Sequence, residues 1–154
     1  MVDYRINLVV SSGGGIMLGT VNVITLEAAK KMVAAGEAEA RTNGWNVAIT
    51  VVDASGALIL FQKLDDTQPG SIAISQGKAR TSALFKRPTK MLEDMVASGK
   101  TAFLAVDGML PIQGGLPVVV NGKVIGAVGV SGVASAQDEQ VAAAAIGALE
   151  SAAP

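Results

Sequence analysis

The chain has 154 residues, enough for one domain that buries most of its potential surface on folding. Twelve Lys and Arg against thirteen Asp and Glu leave a net charge of −1, which argues against nucleic acid as the main partner, because phosphate binding needs a basic face. Half the residues are hydrophobic and only 16% are charged, too few to cover a surface generously, so burial of part of it between subunits is expected. No run is long and apolar enough for a membrane span and the N-terminus does not read as a signal peptide, so a cytoplasmic location is the default expectation. The chain contains neither Cys nor His. Disulfides and thiolate nucleophiles are therefore excluded, proton transfer would fall to Lys, Asp, Glu or Tyr, and zinc or iron would lack their two commonest protein ligands. No residues have metal-site spacing, and Asp65-Asp66 is too local to make one.

In chain order, Arg5 to Val10 predicts a short strand, and Ser11 to Gly15 a flexible turn. With no Gly-Lys-Ser/Thr following, the Gly triplet is a linker and not a phosphate loop. Residues 1–24 are read as an N-terminal extension and 25–154 as a single domain. Thr25 predicts an N-cap for a helix to about Asn43, with Ala29, Met32, Val33, Gly36 and Ala40 inward, Glu27–Lys31 and Glu37–Arg41 as pairs on the wet side, and Gly44 as the stop. Asn46–Val52 and Ala57–Lys63 predict a hairpin turned by Asp53-Ala54-Ser55-Gly56.

After a polar loop from Leu64 to Gly70, Ser71 opens a helix to about Lys86, and Pro88 interrupts it. A third helix runs to Ser98 with Leu92, Met95 and Val96 inward and Gly99 closing it. Phe103–Gln113 reads as a partly extended loop. Val118–Ile125, with Asn121-Gly122 at its centre, calls for a tight type I′ hairpin, and Gly126 and Gly129 in its second strand point to close approach by another backbone or a ligand. Ser135 is read as the cap of the last helix, with Asp138 and Glu139 in its first turn. Two hairpins joined by helices predict an α+β fold: one antiparallel sheet covered by helices.

Two blocks carry the chemistry. Gly77 to Lys90 concentrates Lys78, Arg80, Lys86, Arg87 and Lys90 with Thr81, Ser82 and Thr89. Gln113-Gly114-Gly115-Leu116-Pro117 supplies backbone N–H groups of the kind that cradle a carboxylate, and Ser131-Gly132 adds a hydroxyl ahead of a helix N-terminus. If the Lys78 helix meets these strand ends, the result is a cationic, amide-rich hollow for an anionic small molecule. The expected ligand residues are Lys78, Arg80, Thr81, Gln113, Gly114, Gly115, Pro117, Ser131 and Gly132. For an enzyme acting on a small carboxylate or carbonyl compound, the proton-transfer candidates are Lys78, Ser131 and Asp138.

The same blocks resemble the GlcG/HbpS family, which includes the C-terminal domain of PduO-type proteins. The matching pieces are Thr-Leu-Glu-Ala-Ala from Thr25, Val-Val-Asp-Ala-Ser-Gly at Val51–Gly56, Gly-Lys-Ala-Arg-Thr-Ser-Ala-Leu-Phe at Gly77–Phe85, and Arg87-Pro88-Thr89-Lys90. Ser71-Ile-Ala-Ile, Gly-Gly-Leu-Pro at Gly114–Pro117, Val-Ile-Gly-Ala-Val-Gly-Val-Ser-Gly at Val124–Gly132 and Gln137-Asp138-Glu139 complete the set. The resemblance implies a profilin-like layered α+β domain, assembly into dimers or octamers, haem as a candidate ligand, and an accessory role in a catabolic pathway. Asp53, Pro88 and Asp138 belong to the family's shared residues as well. Without His or Cys, haem iron would have only Met, Tyr4, a hydroxyl or a carboxylate to bind it.

Overall fold

The computed structural model describes residues 19–150; the strand expected at Arg5–Val10 and the Gly-rich turn after it lie outside them. The elements are α1 (Leu26–Thr42), β1 (Ala48–Asp53), β2 (Leu58–Lys63), α2 (Ser71–Phe85), α3 (Thr89–Ala97), a 3₁₀ turn (Thr101–Ala105), β3 (Gly115–Val120), β4 (Lys123–Ser131) and α4 (Ser135–Glu150).

Local chemistry sets most boundaries. Thr25 Oγ1 accepts from Ala28 N–H at 3.1 Å and starts α1, and Gly44 at φ +70° follows its end. The five positions expected to face inward, Ala29, Met32, Val33, Gly36 and Ala40, are the buried ones, and Arg41 pairs with Glu37 on the outside. Asp53 Oδ1 accepts from Ser55 N–H at 2.8 Å, Ser55 Oγ at 2.7 Å and Ala57 N–H at 3.0 Å, which folds the first hairpin turn around one carboxylate oxygen. Asn121 and Gly122 both have positive φ, as a type I′ turn requires.

The sheet is fully antiparallel in the order β2-β1-β4-β3, so the two hairpins are joined by pairing of β1 with β4. This is the α+β architecture expected from the sequence. Its two faces are distinct. Ile49, Val51, Val128 and Val130 share a core with Met32 and Val33 of α1 and Val141 and Ala145 of α4. On the other face Val52 and Ala127 pack on Ala79 and Ala83 of α2, and Thr50 Oγ1 meets Ser75 Oγ at 2.9 Å.

Two expectations need correction. Phe103–Gln113 is not simply extended: Thr101–Ala105 forms a 3₁₀ turn, in which Phe103 N–H bonds Lys100 C=O and Val106 N–H bonds Phe103 C=O. No residue of this turn is buried, so its remaining backbone groups are open to water. Ser135 is the first helical residue of α4 and not its cap. The preceding turn is held instead by Gln137 Oε1, accepting from Ala134 N–H, and Asp138 Oδ1, accepting from Val133 N–H at 3.1 Å.

The α2 face is built of small residues because the helix lies almost on the sheet backbone. A Cβ on Gly129 would stand 2.2 Å from Ser75 C=O and 2.4 Å from Ala79 N, and one on Gly115 would stand 2.5 Å from Lys78 C=O. The approach expected near Gly129 is therefore made by the protein's own helix. Gly129→Ala should cost about 3 kcal/mol or more, since backbone and not a flexible side chain must yield. Urea unfolding checks this, with Gly44→Ala, which meets nothing within 4 Å but keeps a positive φ, as a comparison expected to lose about 1 kcal/mol.

Candidate functional site

The Gly77–Thr81 run sits mid-helix in α2, and its residues point in different directions. Lys78 turns inward and is 1% exposed. Its Nζ donates to Asp138 Oδ2 at 2.8 Å and to Val130 C=O at 2.9 Å, linking α2 on one face of the sheet to α4 on the other past the end of β4. Gly114, at φ +119°, fits directly over this contact: a Cβ there would lie 2.8 Å from Lys78 Nζ and 2.9 Å from Asp138 Cβ. Asp138 is 2% exposed. Burial pushes its carboxyl upward from the usual range, while the Lys78 ammonium and the Val133 and Gly132 N–H groups pull it back.

The neighbouring residues serve the same packing. Gly77 makes room for the Leu110 side chain, since a Cβ there would lie 2.8 Å from Leu110 Cδ2. Thr81 Oγ1 accepts from Leu110 N–H at 2.8 Å. Gln113 N–H, the first of the amides expected to cradle an anion, donates to Glu93 Oε2 at 2.7 Å. Gly115 N–H donates to Thr89 Oγ1 at 2.9 Å. Ser131 Oγ, 60 positions from its partner, donates to Ser71 Oγ at 3.3 Å, and so its observed bond is not to Lys78. Pro117 lies in edge strand β3, where a missing N–H is tolerated, and Gly132 packs against Asn46 C=O in the segment just before β1. Arg80 faces solvent, its stem lying against the Gly56 turn.

The structure thus brings Lys78, Gly114, Gly115 and the end of β4 together, and adds Asp138, which the sequence reading placed only at the start of a helix. The ammonium and the amide it expected to meet a ligand's carboxylate are met by Asp138 and Glu93. An anion reaching Lys78 would have to displace a buried carboxylate. Arg80 is the predicted cation that presents its charge outward.

An open cleft of about 610 Å³ lies elsewhere, at the end of the sheet where both hairpins turn. The irregular segment leading into α1 forms one wall with Val21 and Val23, the Asp53 turn a second, and Val120, Val124 and Ile125 a third, with Lys123 as its cation. Asp53 is held below the usual carboxylate range by the Ser55 hydroxyl, against burial, and further by the Ala57 and Ser55 N–H groups. Sequence reasoning took both turns as connectors and passed over Lys123. The signal available was that an Asn-Gly hairpin places the residue after Gly at a fixed sheet corner. Among the described residues no group of three or more acidic side chains is placed to hold a metal, and no helix is long and apolar enough to cross a membrane.

An antiparallel sheet with one small-residue helix face and one aliphatic face, pinned by a lysine–aspartate bridge, defines a layered α+β domain of the kind the two blocks announced. The chain belongs to the HbpS-like family: the family model described as haem degrading protein HbpS-like matches residues 24–147. Protein GlcG of Escherichia coli strain K12 is 47% identical over 109 residues, 71% of this chain and 81% of that protein. A double mutant of Streptomyces reticuli HbpS superposes with a TM-score of 0.81 at 30% identity, covering 92% of this chain and 97% of that one. The crystal structure titled as a PduOC:heme complex gives 0.75 at 25% identity, over 82% and 95% of the two chains.

Removing one partner of the buried bridge leaves the other charge without compensation, so Lys78→Met or Asp138→Leu should each cost about 3–5 kcal/mol in urea unfolding, with Lys78→Met/Asp138→Leu losing less than the sum. For Asp53 the sign is that of a depressed acid. Its stabilisation is complete above the ordinary Asp value and is lost as pH falls through the lower folded value. Asp53→Asn should flatten that part of the acid limb, measured as urea midpoint against pH.

Proposed function

We propose that this chain binds a small, largely apolar, anionic molecule of the haem class, self-associates, and acts as an accessory protein and not as an enzyme. The observation that carries the reading is the likeness of fold over most of the chain to HbpS and to a PduO C-terminal domain whose structure is titled a heme complex. Two features of this chain support binding over turnover. The proton-transfer candidates Lys78 and Asp138 are closed on each other, and Ser131 on Ser71. The open cleft, by contrast, has the size of a small-molecule site and mostly apolar walls. In this reading Lys78, Gly114, Gly115, Ser131 and Asp138 hold the sheet end in shape, and Thr81 and Gln113 anchor the loop before β3.

Self-association rests on the low charge content and on exposed Leu58, Leu84, Leu104 and Val119, of which Leu84 stands at 41% and Leu104 at 61%. Hemin titrated into the full chain should saturate with a changed Soret band at a fixed stoichiometry. A spectrum identical to free hemin at protein excess rejects the reading.

A further inference from the structure

We infer that the cleft at the hairpin end of the sheet is the ligand site, and that it recognises an apolar acid through Lys123 without coordinating a metal. This rests on the binding function proposed above and specifies its chemistry.

The walls come from three separate segments, Val21–Val23, Asp53–Ser55 and Val120–Ile125, so the cleft is a product of the tertiary fold. Val21 is 76% and Val23 68% exposed, an apolar surface left facing an opening of about 610 Å³. The two charges in the lining differ in their engagement. Asp53 has Oδ1 committed to three hydrogen bonds of its own turn. Lys123 opens β4 opposite Val120, on a hairpin whose turn is fixed by two positive-φ residues. A ligand with an apolar body would lie along the valines and place its acid at Lys123, away from the Asp53 carboxylate.

The chemistry of the lining does not fit haem iron. His and Cys are absent from the whole chain. Among the described residues lining the cleft there is no Met or Tyr either, and the polar side chains are hydroxyls, amides, Asp53 and the Lys123 amine. Such a site binds a porphyrin by its carboxylates and its flat apolar face, leaving the iron without a strong protein ligand. The metal then adds little to affinity.

The test compares hemin with metal-free protoporphyrin IX, by tryptophan quenching and by absorbance, on the full chain and on Lys123→Ala and Ala54→Trp, the latter narrowing the mouth. Arg41→Ala, at the other end of the sheet, serves as control. Wild type and the control should bind both porphyrins within about threefold of each other. Both cleft variants should lose about tenfold or more for each, with unchanged urea midpoints. Hemin binding tenfold tighter than protoporphyrin, with the spectrum of a ligated iron, overturns the claim that no metal is coordinated. Equal binding by wild type and both cleft variants overturns the location while leaving the binding function standing. Failure of wild type to bind either porphyrin overturns that function and this inference with it.

Discussion

The ion pair between Lys78 and Asp138 is the constraint on which the rest of the molecule turns. A lysine and an aspartate that are 1% and 2% exposed are tolerated only with near-complete hydrogen bonding. The surroundings provide it: Val130 C=O takes a second ammonium proton, and the N–H groups ahead of α4 take the carboxylate. Because the two residues belong to helices on opposite faces, the pair fixes both layers against the same end of β4. Gly114, Gly115 and Gly129 follow from that, since α2 must lie close enough for its lysine to reach through.

That arrangement changes what the cationic block means for function. The features that suggest an anion site, an ammonium, glycine-rich amides and hydroxyls, are present and adjacent. Internal carboxylates and hydroxyls meet them: Asp138 for Lys78, Glu93 for the Gln113 amide, Thr89 for the Gly115 amide. A protein can build an anion site for its own side chain, and such a site serves architecture. In the function proposed above, recognition of an external acid falls to an exposed cation carried on a fixed stretch of backbone. Lys123 at a rigid hairpin corner meets that description, beside walls that remain apolar.

Much of the fold was legible because its signals are local. Thr25, Gly44, the Asp53 turn, Pro88 and Asn121-Gly122 each act through hydrogen bonds or φ restrictions within a few residues. The inward stripe of α1 is likewise a matter of helical spacing. What could not be read is non-local. That β1 pairs with β4, and so joins the hairpins, is decided by burial across more than seventy residues of chain. The partner of Lys78 lies sixty positions away, and nothing in either neighbourhood names it. Asp138 was read as a helix-end acid; it is that, through Oδ1 and Val133, while Oδ2 serves a second purpose that spacing does not reveal. The cleft was missed for the same reason, since its three walls are remote in sequence.

The most direct measurement of whether Lys78 is a structural charge is its chemical accessibility. A brief pulse of acetic anhydride on the native protein, read residue by residue by mass spectrometry, should leave Lys78 unmodified while Lys123, Lys86 and Lys100 are labelled. Labelling of Lys78 at the rate of those surface lysines, and its protection by an added anion, would show that its ammonium is open to ligand and would contradict the account.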